Sequence, residues 1–235
     1  MPNKWTTLYK YVSLNRVADI LDNNRLYLND GSNFNDPFEI TAVDRRTHRI
    51  RHIEGLHVLS LTNSYRNKLI WSHYTNSHRG VCLTIKVPSH LVYPICYSTK
   101  RVYEDSDIDD IISSSKRVSK KSVDKDFSTL SRDKKIAYIK DKKWLYEKEY
   151  RIVFDKSEEA GLIFESGNWY MSVKVTNIYL GVNFDRNNTG IKSEIIEACR
   201  RNNVSIKRMI LSDNDYSVKP QKWDDLKSDN FLMEH

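Results

Sequence analysis

The 235-residue sequence predicts an α+β fold. Short, β-prone, alternating segments recur along the whole chain, and helical periodicity shows in only a few places. Strands and helices do not alternate regularly, which argues against a doubly wound parallel sheet. At ~150 residues per domain, the length fits one domain over 1–235 that carries an insertion. No repeat of 20–50 residues is present.

Each element has a local reason. Thr6 to Val12 (TTLYKYV) alternates and reads as a strand. Ser13 can cap a following helix, in which Leu14, Val17, Ala18 and Leu21 form one apolar face until Asn23-Asn24 stops it. Arg25 to Leu28 reads as a short strand, and Asn29 to Pro37 (NDGSNFNDP) is turn chemistry throughout. A basic run, Arg45 to His52, leads to a strand at Leu56 to Thr62 (LHVLSLT). Ser64 to Ser77 reads as a helix that Gly80 ends, followed by strands at Val81 to Val87 and Tyr93 to Tyr97. From 104 to 143 the pattern changes to an acidic start, a Ser/Lys-rich stretch and a helix from Ser128 to Lys140. This segment is expected to be a mobile insertion or lid. Strands follow at Glu149 to Phe154, Gly161 to Phe164, Asn168 to Val175 and Asn177 to Phe184. A helix from Ile191 to Asn202 and a strand from Ser205 to Leu211 complete the core, and the tail from about 213 is expected to be loose.

Composition excludes several classes. Three scattered cysteines, Cys82, Cys96 and Cys199, make no disulfide framework, and no CxxC pair offers a zinc site. The N-terminus lacks the apolar core of a signal peptide, and no apolar run approaches the ~20 residues that span a bilayer. A soluble protein of a reducing, cytoplasmic compartment with no membrane partner is expected. The net charge is +7, and no acidic residue lies between Glu54 and Glu104, where Arg66, Lys68, Arg79, Lys86, Lys100 and Arg101 sit. If these converge, their field attracts a polyanion; other segments could equally neutralise them.

Phosphate-loop, Rossmann, nucleophile-elbow and HExxH motifs are absent, and seven glycines leave little scope for a glycine-built phosphate loop. The strongest chemical segment is Trp144-Leu-Tyr-Glu147-Lys-Glu149-Tyr150-Arg151-Ile-Val-Phe154. On a strand, Glu147, Glu149 and Arg151 share one face while Tyr150, Ile152 and Phe154 take the other. Paired carboxylates raise each other's pKa and an arginine beside them opposes this; composition alone favours a solvated face with an ordinary Glu–Arg pair. Phe34-Asn35-Asp36-Pro37-Phe38-Glu39 is a turn that can hold side chains over a pocket or serve as plain structure. Trp71 and Tyr74, three apart on a helix, suit either a core or stacking on a planar base.

In order, LYKY, ILxNxxLYLN, NDPFE, LSLT, LIWSHYTNSHRGVCLTI, WLYEKEYRI and IYLG resemble a widespread bacterial and phage-associated domain family of unknown function, over roughly residues 8–184. Members of that family are often met beside abortive-infection and other phage-defence genes. Its layout is similar to the ADP-ribosyltransferase superfamily, in particular the toxin branch that modifies nucleic acid. That resemblance implies a split antiparallel sheet with flanking helices and NAD as co-substrate. It places Lys10 and Tyr11 of LYKY at the nicotinamide-side ribose, Ser60 and Thr62 of LSLT on a second functional strand, and Glu149 as catalytic glutamate, with Glu147 completing an E-x-E pair. Trp71, Tyr74 and Arg151 are the further candidates for holding the cofactor. Lys10 departs from the His or Arg of that pattern, and lysine lacks arginine's planar fork.

The expectation is therefore an NAD-dependent enzyme of phage defence or toxin type. Its possible partners are a nucleic-acid acceptor and an antitoxin or phage protein. One rival is a non-catalytic nucleic-acid-binding or phage-sensing module. A second is a metal-dependent nuclease on Asp36, Glu39, Glu147 and Glu149, although no established metal spacing supports it.

Overall fold

The computed structural model describes residues 4–32, 34–118 and 125–223. Its elements in order are β1 (Trp5–Val12), α1 (Val17–Asn23), β2 (Arg25–Tyr27), β3 (Thr41–Val43), β4 (Ile50–His52), β5 (Leu56–Thr62), α2 (Lys68–Tyr74), β6 (Val81–Pro88), β7 (Tyr93–Pro94) and β8 (Cys96–Ser98). They continue with α3 (Asp105–Val118), α4 (Arg132–Ala137), β9 (Ile139–Asp141), β10 (Glu149–Asp155), β11 (Ile163–Glu165), β12 (Asn168–Ser172), β13 (Lys174–Leu180), α5 (Thr189–Arg201), β14 (Ser205–Leu211) and β15 (Val218–Lys222). The fold is mixed α+β with antiparallel pairing dominant; β8–β9 and β13–β14 are parallel pairs. The chain divides into two compact units.

The first unit takes Leu26–Leu61 and Pro88–Ser172. Its strands lie in the orders β5-β10-β7, β11-β12-β2, β3-β4 and β8-β9. The core joins Ile40, Val58, Ile95, Ile108, Ile111, Ile112, Phe127, Ile136, Tyr138 and Val153. Ile108, Ile111 and Ile112 stand at i, i+3 and i+4 on α3, so one face of that helix is apolar. At its start, Asp107 accepts from the backbone N–H of Tyr103 and Glu104 at 3.0 and 2.9 Å, which anchors the first turn.

Residues 104–143, the expected insertion or lid, thus place seven side chains in the core of this unit. The Ser/Lys-rich part at 119–124 lies outside the described residues. The helix expected from Ser128 to Lys140 is shorter, because Ser131 caps α4 through the Lys134 N–H and the chain then pairs as β9. Lys140 is a strand residue as a result.

The second unit takes Trp5–Arg25, Thr62–Val87 and the residues from Val173 on. Its strand order is β15-β14-β13-β6-β1. In α5, Ile195, Ile196, Ala198 and Cys199 are buried, and the helix packs against α1 and β14. The expected helix from Ser64 to Ser77 narrows to α2, because the Asn67 side chain accepts from the N–H of Leu69 and Ile70 and fixes a later start. The tail expected to be loose from about 213 returns as β15 antiparallel to β14; residues beyond 223 lie outside the described ones.

The glycine of IYLG has a steric cause. Asn76, Ser77 and His78 form a left-handed run at φ 48°, 56° and 66°. A Cβ on Gly181 would lie 2.0 Å from the His78 carbonyl oxygen. The Gly181 N–H bonds the Gly80 carbonyl at 3.0 Å, so only glycine permits this approach.

Candidate functional site

The first unit buries a cluster of charged side chains drawn from two motifs far apart in sequence. Arg151 on β10 is fully buried. Its Nε donates to Glu149 Oε1 at 2.6 Å, one terminal nitrogen donates to Glu149 Oε2 at 3.1 Å, and the other donates to the Ala137 carbonyl at 2.6 Å. The nitrogen that bonds Glu149 Oε2 also bonds Glu39, so the NDPFE turn is tied to the E-x-E-x-R strand. Lys140 on β9 is buried as well, and its Nζ lies 2.6 Å from Glu147 Oε2, 3.0 Å from Glu149 Oε2 and 3.0 Å from Glu39 Oε1. Aromatic faces back both cations, with Phe34 5.1 Å from the Arg151 guanidinium and Trp144 5.1 Å from the Lys140 ammonium.

Local geometry explains how the glutamates converge. Glu147 ends a helical turn over Lys142–Glu147, and Lys148 follows at φ 47°. Glu149 then opens β10, with its N–H donating to the Tyr97 hydroxyl at 2.9 Å. The stripe of Glu149 and Arg151 therefore faces inward, and the solvated-face reading of this segment does not hold. Tyr97's phenol is pushed above its usual range, first by burial.

Electrostatics favours the charged forms of Glu149, Lys140 and Arg151. Burial works against ionisation of Glu149, but the charges of Arg151 and Lys140, with hydrogen bonds from Arg151 and Ser60, outweigh it and hold the carboxyl at about 2. Burial likewise opposes the charge on Lys140, and Glu149 and Glu39 overcome it, so the ammonium is held above its ordinary value. Arg151 is raised in the same way against its own burial. Three carboxylates against two cations leave the cluster a formal charge of −1.

Beside it lies a cavity of about 150 Å³ whose walls include Asp36, Glu39, Thr41, Lys100, Arg101 and Lys140. Arg101 is fixed by stacking on Phe38 at 5.0 Å and by donating to Thr41 Oγ1 at 2.9 Å. A space of this size admits one ring-sized group. Glu39 and Lys140 belong to both the cluster and the wall, whereas Glu149 stands behind them. An ammonium occupies the point where Glu39, Glu147 and Glu149 meet. Among the described residues no group of three or more His, Cys, Asp or Glu is arranged to hold a metal ion.

Of the residues singled out in the sequence, Glu147, Glu149, Arg151 and Ser60 come together in the first unit. Lys10, Tyr11, Thr62, Trp71 and Tyr74 belong to the second. There Tyr11 is buried, donates to the Ser64 carbonyl at 3.0 Å and meets Trp71 edge-on at 5.0 Å. Trp71 is fully buried and its Nε1 donates to the Tyr65 carbonyl at 2.9 Å. Both are satisfied core side chains. Lys10 and Tyr74 are half-buried, and Thr62 is buried with its hydroxyl accepting from the Ser64 N–H at 3.4 Å. The acid-free stretch is divided, with Arg66, Lys68, Arg79 and Lys86 in the second unit and Lys100 and Arg101 in the first.

Lys140 was not singled out in the sequence, and Glu39 entered only as a turn residue and a rival metal ligand. NDPFE and WLYEKEYRI stand in one motif series, and the acids in both were the available signal.

A family model described as a protein of unknown function (DUF2971) matches residues 70–152. The matched part holds Lys140, Glu147, Glu149 and Arg151, and Glu39 lies outside it. No curated protein and no solved structure matches the chain.

Proposed function

We propose that this protein is an NAD-dependent ADP-ribosyltransferase of the kind its motifs resemble, with the ribosyl end of NAD entering the cavity beside the ion cluster. The observation that carries the reading is the cluster's excess of one formal negative charge, buried away from water and reaching the cavity through Glu39. Breaking the nicotinamide–ribose bond sends the electron pair to the pyridinium nitrogen and leaves an oxocarbenium-like ribosyl cation, as in glycoside hydrolysis. Fixed negative charge in a dry site stabilises that cation as it develops. Arg151 and Lys140 keep Glu149 ionised and hold Glu39 at the wall; Glu149, held at about 2, stays charged throughout the physiological range. A nucleophile of a nucleic-acid acceptor then takes the ribosyl carbon.

The test is nicotinamide release from NAD by purified protein, with and without DNA, RNA or cell lysate. Glu39→Gln and Glu149→Gln are run beside wild type, with each variant's folding checked by circular dichroism. Loss of one such charge is expected to cut release about 100-fold or more. No release by wild type under any addition, or a wild-type rate from folded Glu149→Gln, refutes the proposal.

A second reading is a non-catalytic nucleic-acid-binding or phage-sensing module. It is favoured by the occupancy of Glu149, whose two oxygens are both engaged by Arg151 and Lys140 in a side chain only 5% exposed. On that reading the cluster holds the fold together, and salt-sensitive binding occurs without nicotinamide release.

A further inference from the structure

The second unit gathers tyrosine rings and cations at one place. Tyr65 and Tyr179 stack face to face, with centroids 4.3 Å apart and planes 4° from parallel. Tyr9 packs against Tyr65 at 5.2 Å and meets Tyr179 edge-on at 6.4 Å. A cation lies over each stacked ring, with Arg66 5.2 Å from the Tyr65 centroid and Lys207 5.8 Å from that of Tyr179. Arg66 and Lys207 are exposed, and neither has a carboxylate partner among the described residues. Lys222 is the β15 partner of Lys207, and Lys207 is the β14 partner of Tyr179, so one row across the sheet carries all three. In the β14–β15 hairpin Tyr216 is 96% exposed. Lys68 donates to its carbonyl at 3.3 Å and stands 6.0 Å from its ring. The hairpin's carboxylates are already engaged, Asp213 by Lys219 and Asp215 by the Ser217 hydroxyl, each at 2.5 Å.

We infer that this surface binds a single-stranded nucleic acid, with a base stacked on Tyr216 and backbone phosphates on Arg66, Lys68, Lys207 and Lys222. A strand offers what these residues complement, which is flat unpaired bases alternating with negative charge. A duplex hides its base faces, and an acidic peptide uses the cations but leaves the exposed ring without a partner. The tyrosine stack holds two of the cations in place before the ligand arrives, so less side-chain freedom is lost on binding. This inference deepens the nucleic-acid part of the function proposed above by naming the surface. Its assay contains no NAD, so failure here and failure of the reaction are read separately.

The experiment is fluorescence anisotropy of the full chain with labelled 20-mer oligo-dT and oligo-U across a salt series, with a 20-bp duplex and poly-glutamate as competitors. Tyr216→Ala is expected to weaken strand binding about 5- to 150-fold, the loss of one stacked base. Arg66→Ala and Lys207→Ala are each expected to reduce the slope of log affinity against log salt by roughly 0.7. The tighter of the two oligonucleotides identifies the strand chemistry. Equal binding of duplex and strand, equal competition by poly-glutamate, or unchanged affinity in Tyr216→Ala each overturns the inference. Tyr216 is exposed and bonds only through its backbone carbonyl, so the variant's fold is not in question.

Discussion

Arg151→Met tests whether the buried cluster holds the first unit together. Methionine keeps most of the stem's volume and removes the guanidinium, which leaves Glu149 Oε1 and the Ala137 carbonyl without their donor and Glu39 and Glu149 Oε2 with Lys140 alone. The formal charge of the cluster moves from −1 to −2. Removing one partner of a buried ion pair costs about 3–5 kcal/mol, a large part of the roughly 5–15 kcal/mol that holds a domain folded. Urea unfolding at pH 7, followed by tryptophan fluorescence, measures the loss. A second measurement isolates the electrostatic cause. In the wild type Glu149 sits at about 2, below its ordinary 4.5. Its contribution is complete above 4.5 and is lost as the pH falls through 2, on the order of 3 kcal/mol in all. Without Arg151, burial dominates and Glu149 protonates at higher pH, so it no longer needs the missing partner in mild acid. The deficit of the variant should therefore shrink between pH 7 and pH 4. A deficit below about 1 kcal/mol, the size of an exposed pair, or one independent of pH, refutes the reasoning.

Three further predictions concern the wild type's acid limit and two of its glycines. Circular dichroism on acidification should show unfolding that begins below pH 4.5 and steepens toward pH 2, because the depressed Glu149 carboxyl is protonated in that window; an unchanged spectrum at pH 2 contradicts it. Gly181→Ala places a Cβ against the His78 carbonyl and should cost about 2 kcal/mol or more, a fall in Tm of roughly 5 °C. Gly161→Ala, whose Cβ meets nothing within 4 Å, should leave Tm unchanged or slightly higher.

The α+β class, the strands β1, β5, β6, β10 and β14, and helix α5 were legible because each carries its own period and boundary residues. Helix extents were less so. Asn67 and Ser131 decide where α2 and α4 begin, yet Ser64 and Ser128 offer equally acceptable starts in sequence. Strands β3 and β4 escaped notice since Ile50-Arg51-His52 reads only as part of a basic run. In 104–143 the composition points to a mobile segment, whereas Ile108, Ile111 and Ile112 have the spacing of the buried face that α3 presents. At the site, Glu147, Glu149 and Arg151 were visible as a stripe, but whether a stripe faces water or protein depends on partners elsewhere in the chain. Glu39 and Lys140 are those partners, and neither has a local pattern that announces it.

The arrangement of the cluster also separates folding from chemistry. Glu→Gln at 39, 147 or 149 changes the formal charge by the same step, from −1 to 0, and keeps an acceptor for Lys140 or Arg151. Burial penalises net charge, so neutralising one carboxylate relieves part of that penalty while weakening attraction to the two cations. These opposed terms keep the effect on stability smaller than that of deleting Arg151, which strips partners and adds net charge together. The positions differ in where their charge acts. Glu39 lines the cavity, and Glu147 and Glu149 meet its wall only through Lys140. A cation developing in the cavity would therefore feel the loss of Glu39 most directly, whereas a purely structural cluster would rank the three by the hydrogen bonds each one forfeits. Because Glu149 accepts three side-chain hydrogen bonds of the cluster and Glu39, alone among the three glutamates, lines the cavity, these two rankings start from different residues, and the order of the three variants distinguishes a catalytic cluster from a scaffold.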